Sequence, residues 1–279
     1  MSNIEFGIIE DRADPEMMGR YRVRVIGRHS AVLSKAGIPR DSLPWATVMM
    51  PVTSASVSGV GSTNALVEGS WVAVVFMDEY AQNPIIIGSI QGRPDQKRSP
   101  TVGFSDPNGK FPRYINESDV NKLARGTNTV VEPDDAAPAS AYNAVYPFNK
   151  VMETESGHIV EFDDTDKAER IRIRHKNGTS VEMFENGDIV SRSKKDNWEM
   201  VAGNKECHIT GTLNIVVTGN ATIKAPLTTV EGDLTVTGAV IVDKTIVATD
   251  EITGKGVNLS THTHGITGGS SAGTTSTPS

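Results

Sequence analysis

The chain has 279 residues, of which 37% are apolar and only 5% aromatic, and its 34 acidic against 27 basic residues give a net charge of −7. That is enough apolar material for folded domains, and the acidic balance argues against a general nucleic-acid binder, which presents a basic surface. A single cysteine, Cys207, excludes an intrachain disulfide framework. No signal peptide and no apolar run of membrane-spanning length are apparent, so synthesis and assembly in a cytoplasm are expected.

In chain order, Phe6 to Glu10 reads as a strand and Asp14-Pro15 as a turn, while residues 21–26 alternate strictly as a second strand. Arg20, Arg22, Arg24 and Arg28 then fall opposite Val23 and Val25, and the alternation predicts that they form the solvated face of a half-buried strand. Further strands are predicted at 45–50, 70–77 and 84–90, with a Gly/Ser-rich loop at 54–64. Five short strands within about ninety residues suggest a small closed barrel of the oligonucleotide/oligosaccharide-binding (OB) type over residues 1–92.

Residues 93–150 are rich in Pro, Asp, Asn and Ala and read as an extended linker crossing the surface of neighbours, with Val145, Tyr146, Pro147 and Phe148 as a docking anchor. Beyond it, His158 with Glu161, Asp163, Asp164 and Asp166 invites a hydrolytic or metal-binding reading. A tight turn at 163–166 explains the acids better, because Asp side chains accept nearby backbone amides. Asn177-Gly178 is a hairpin signal.

From residue 187 the glycines at 187, 203, 211 and 219 fall on one eight-residue lattice. Between them Ile209, Leu213, Ile215 and Val217 alternate with Thr and Asn, so the apolar residues share one face of an extended chain. The register slips later, since Gly232 and Gly238 are six apart, but the β-branched composition continues through Val247. A narrow ribbon of this kind has too little core to stand alone, so its apolar row needs partners. Three copies wound about one axis would bury all three rows and pair the strand edges between chains. A single-chain β-sandwich is the alternative.

At the end of the repeat stands Thr261-His262-Thr263-His264-Gly265. In an extended strand His262 and His264 point the same way. Facing a threefold axis, the pairs from three chains would bring six imidazoles to one point, a donor set suited to an octahedral transition metal more than to zinc.

Several of these stretches resemble contractile-phage spike proteins. Residues 8–15, Gly19 to Gly27, Leu43-Pro44-Trp45 and residues 103–107 look like the N-terminal OB domain of the T-even-type baseplate hub protein. Ser156-Gly157-His158, residues 161–164 and residues 171–178 resemble the start of the trimeric β-helix of phage spikes and of the valine-glycine repeat proteins of type VI secretion. His262-Thr263-His264 with its Gly/Ser/Thr/Pro tail looks like the metal-capped apex of short spikes.

The resemblance implies an all-β homotrimer: an OB barrel at 1–92, an extended docking linker at 93–150, the start of a β-helix at 151–205, an intertwined triple-stranded β-helix needle at 206–260 and an apex with tail at 261–279. It implies a virion protein of the tail baseplate that docks to a hub protein through its barrels and punctures the host outer membrane. It also implies one iron ion per trimer on His262 and His264; whether calcium or chloride also sits along the axis is left open by the sequence. A type VI or tailocin spike is the nearest alternative.

The T-even hub carries a lysozyme domain between barrel and needle, whereas here 58 residues fill that gap, so no enzymatic activity is expected. A peptidoglycan hydrolase and a nucleic-acid-binding OB protein, the latter resting on the Arg22/Arg24 strand, are the competing classes.

Overall fold

The computed structural model describes residues 3–30, 37–96, 111–128, 138–263, 265–266 and 273–274, in two compact units, 1–202 and 203–279. The motif at 103–107 and His264 lie outside the described residues.

Five strands of the first unit, β1 (Glu5–Asp11), β2 (Tyr21–Val25), β3 (Trp45–Val48), β4 (Trp71–Phe76) and β5 (Pro84–Ile90), close into a barrel in the order β1-β2-β3-β5-β4. Every pairing is antiparallel except β3 with β5. This is the OB arrangement that the strand spacing predicts. Its interior is made by alternate residues of each strand: Ile9, Val23, Val25, Val72, Val74 and Ile86 are buried around Tyr21 and Phe76. Gly7 allows β1 and β2 to approach closely, since a Cβ there would overlap the Val23 side chain.

The arginine face of β2 differs from the expectation. Arg24 is fully buried on the face opposite the core, where Ser30 and Ile38 meet it. Its guanidinium pairs with Glu10 of β1 at 2.8 and 2.9 Å and donates to the carbonyls of Ser30 and Ile38 at 2.7 and 2.8 Å. Only a cation with every donor satisfied can be held there, because an unpaired buried charge is far too costly.

The second layer of this unit is a five-stranded antiparallel meander in the order β10-β9-β8-β7-β6. Its strands are β6 (Asn149–Glu153), β7 (Ile159–Asp163), β8 (Arg170–Arg174), β9 (Ser180–Phe184) and β10 (Ile189–Arg192). The β7–β8 connection is the predicted acid-rich turn, with Asp163 accepting from the Thr165 amide at 3.1 Å. The β8–β9 hairpin turns on Gly178 at φ +97°, as Asn-Gly foretells.

In the second unit, residues 203–252 contain no strand and every described residue from 203 to 261 is exposed. Short pairings follow, β11 (Thr253–Gly254) with β12 (Val257–Asn258) and β13 (Gly265–Ile266) with β14 (Gly273–Thr274).

Candidate functional site

OB barrels take ligands on strands 2 and 3 and the loops beside them. Here Arg22 of β2 lies opposite Trp45 of β3, and the guanidinium groups of Arg22 and Arg20 sit 4.7 and 5.8 Å from the indole ring. The aromatic face is thus covered by the chain's own cations. Those cations are also neutralised. Arg20 pairs with Asp14 at 2.7 Å and Glu16 at 3.2 Å, Arg22 donates to the Arg40 carbonyl at 2.9 Å and lies 4.0 Å from the Asp11 carboxylate, and Arg28 pairs with Glu5. A single-stranded nucleic acid needs open rings and unpaired positive charge, and this face offers neither.

The five-stranded sheet has inverted polarity. Toward the chain's own body it turns Asn149, Glu161, Asp163, Arg170, Arg172, Glu182 and Arg192, all buried. Arg170 is the hub of this face, bonded to Glu161 at 2.9 Å and Glu182 at 3.0 Å, and Asn149 adds a bond to Glu161 at 3.1 Å. Residues 138–148 cross over it as a strap. Ser140 bonds Glu182, the Tyr142 ring lies 5.0 Å from the Arg170 guanidinium, the Pro138 carbonyl accepts from Arg192, and the Val145 amide donates to Thr165 at 3.0 Å. In the predicted anchor the side chains of Val145, Tyr146 and Phe148 remain exposed, so that stretch of the strap is held by its backbone.

The opposite face is aliphatic and open. Strand register aligns Phe162, Ile171, Met183 and Ile189 in one row and Met152, Val160, Ile173 and Val181 in the next. Ile173, at the centre, is 60% exposed. The alternation is legible in Ile171-Arg172-Ile173-Arg174, but its direction is opposite to that of an ordinary half-buried sheet.

The predicted His158 constellation is taken apart by this register. Glu161 and Asp163 face the buried arginines, whereas His158 meets His175 across the β7–β8 pair with ring centroids 4.4 Å apart. Both Nδ1 atoms accept weak bonds from backbone amides in the β8–β9 turn, at 3.4 and 3.2 Å.

In the second unit, Glu251 gathers the β11–β12 hairpin. Its carboxylate accepts the Ile252 amide at 3.1 Å, the Ser260 amide at 3.2 Å and the Ser260 hydroxyl, and these bonds hold its pKa below the usual range. Chain folding back from Asn258 places His262, whose amide donates to the Asn258 carbonyl at 3.1 Å. The His262 Nδ1 lies 2.8 Å from the Leu259 carbonyl, which can only accept, so Nδ1 donates to it. A carbonyl partner of this kind fixes the tautomer and orientation of a metal-ligating imidazole. Among the described residues no three His, Cys, Asp or Glu side chains of one chain gather as a metal cluster.

The Gp5 N-terminal OB domain family matches residues 27–172, from the end of β2 into β8 and more than half of the chain. The chain belongs to this family. Protein Gp5 of Vibrio phage KVP40 is 34% identical over 266 residues, an alignment covering 77% of this chain and 63% of that protein. The pre-baseplate central spike protein Gp5 of Enterobacteria phage T4 is 42% identical over 124 residues, 43% of this chain and 21% of that protein. The chain therefore spans less than two thirds of either relative. The family's match extends well past β5, which fits the burial of residues 123–124 and 149 together with the sheet.

Two features escape the sequence reading. The Arg24–Glu10 pair has a faint signal in opposite charges on adjacent strands, whereas the inverted sheet has none, because alternation does not say which face is covered.

Proposed function

We propose that this chain is the central spike of a contractile phage tail baseplate, acting as a homotrimer whose needle is driven through a host outer membrane. The observation that carries the reading is that the five-stranded sheet covers its charges and leaves its aliphatic residues in the open. The sheet shows two apolar rows, and in the second unit Ile215 and Ile241 are 74% and 88% exposed. Exposed apolar surface on this scale marks an interface, and identical chains around a threefold axis offer each face an equivalent partner.

In this reading 1–92 is the docking barrel, 93–150 the docking segment, 151–205 the start of the β-helix, 206–260 the needle and 261–279 the apex. The name of the T4 relative supports the baseplate location, and a hub protein is the partner for the barrel. Puncture is mechanical: strands hydrogen-bonded between chains carry axial force without unfolding, and no covalent bond is broken. Nothing in this role calls for a catalytic group or for nucleic acid.

His262 and His264 of three chains would hold one iron ion. The donor type fits, because imidazole nitrogen suits an octahedral transition metal and the Leu259 carbonyl, 2.8 Å from Nδ1, orients the His262 ring. When bound, such an ion supplies a static cross-link between three chain ends that would otherwise fray. The test is the mass of the purified chain by light scattering together with its metal content by element-resolved mass spectrometry. Three chains and about one iron per three chains are expected. A monomer at micromolar concentration would overturn the reading, and a metal-free trimer would remove the apex from it.

A further inference from the structure

The loop between β1 and β2 is built in a way the spike reading does not require. The Asp14 carboxylate accepts the amides of Glu16, Met18 and Arg20 at 3.1, 2.9 and 3.2 Å and is clamped by the Arg20 guanidinium at 3.1 and 2.7 Å. The far leg is tied down where Asn64 donates to the Gly19 carbonyl at 3.2 Å. What this scaffold presents is apolar: Met17 and Met18 are 91% and 65% exposed, and Met17 is held at φ +54°. A non-glycine residue in the left-handed region is strained, and a rigid loop that spends strain to show two methionines is paying nothing toward the barrel core.

We propose that Met17 and Met18 form a preformed plug that seats in an apolar socket on another protein. Under the spike reading, on which this rests, that protein is the hub to which the barrel docks. Nucleic acid and anionic lipid are poor occupants, since Arg20 is neutralised by Asp14 and Glu16 and Arg12 by Glu68 at 3.2 Å and by Glu155. The tip also lacks the Trp, Lys and Arg of a membrane-surface anchor. Methionine adapts to an irregular apolar wall, and ordering the loop beforehand removes an entropy cost from binding.

The experiment measures binding of the intact chain to co-expressed hub protein of the same phage, for wild type, Met17→Gly and Met17→Gly/Met18→Ser. Glycine relieves the left-handed strain, so Met17→Gly should melt no lower than wild type. Its affinity should nevertheless fall about tenfold, equivalent to about 1.4 kcal/mol, and the double variant should fall further. Wild-type affinity in both variants overturns the plug while leaving the spike reading intact. Absence of hub binding by wild type overturns the spike reading itself. Flotation with anionic vesicles that the double variant loses would assign the tip to lipid and also overturn the plug.

Discussion

Replacing Arg24 by Met removes the cation that pairs with the buried Glu10 carboxylate. Glu10 is then left as a carboxylate with no exposed surface, and the Ser30 and Ile38 carbonyls lose their donors. Removing one partner of a buried ion pair costs about 3–5 kcal/mol, a large part of the roughly 5–15 kcal/mol that stabilises an ordinary domain. At 1.36 kcal/mol per decade, protection of the barrel amides against hydrogen exchange should fall by about 10²- to 10⁴-fold. The amides to follow in the intact chain are those of Ile9, Val23, Val25 and Ile86, buried in the core. The paired change Glu10→Met with Arg24→Met should recover most of the loss, because two apolar side chains of similar volume replace a desolvated pair without leaving a charge behind. A loss below about 1 kcal/mol for Arg24→Met, or a double variant as unstable as the two single ones added, would refute the argument that the pair is buried.

Four further outcomes are expected. Ile173→Asp places a charge at the centre of the open apolar rows, so light scattering should return the mass of one chain while barrel amide protection is unchanged. His29 has its pKa lowered, chiefly by burial and then by the charges of Arg24 and Arg28. The unfolded state therefore takes up the proton first, and barrel stability, full above the ordinary value of 6.5, should decline as pH falls below it; His29→Gln should flatten that decline in melting temperature. The lowered pKa of Glu251 keeps the β11–β12 hairpin intact above the ordinary value of 4.5 and loosens it as pH falls through the depressed value, visible as broadening of the His262 ring resonances. Gly126, at φ +67°, has the Ala144 carbonyl where a Cβ would stand. Gly126→Ala should cost about 1–3 kcal/mol, read as faster exchange of the Val145 amide that donates to Thr165.

The OB barrel was legible because its information is local. Period-two alternation at Tyr21 to Val25 and Val72 to Phe76 fixes which residues enter a core, and turn residues fix the strand ends to within a residue or two. Family membership was legible for the same reason, in motifs that hold turns and strand ends. The octad lattice announces an extended chain with an apolar row; in the structure residues 203–252 form no strand, and Ile209, Leu213, Ile215 and Val217 are exposed.

Tertiary structure decided which face of each alternation is covered. Arg22 and Arg24 are indistinguishable by pattern, yet Arg24 is buried because the chain returning at Ile38 crosses it, at a point where Glu10 on the neighbouring strand can meet its charge. The same ambiguity, on a larger scale, inverted the sheet: Ile171 and Ile173 stand in the open while Arg170 and Arg172 are buried under a strap from residues 138–148. Sequence sets the period of a strand through its geometry. Which phase of that period is buried depends on what packs against it, and that is settled by segments distant along the chain.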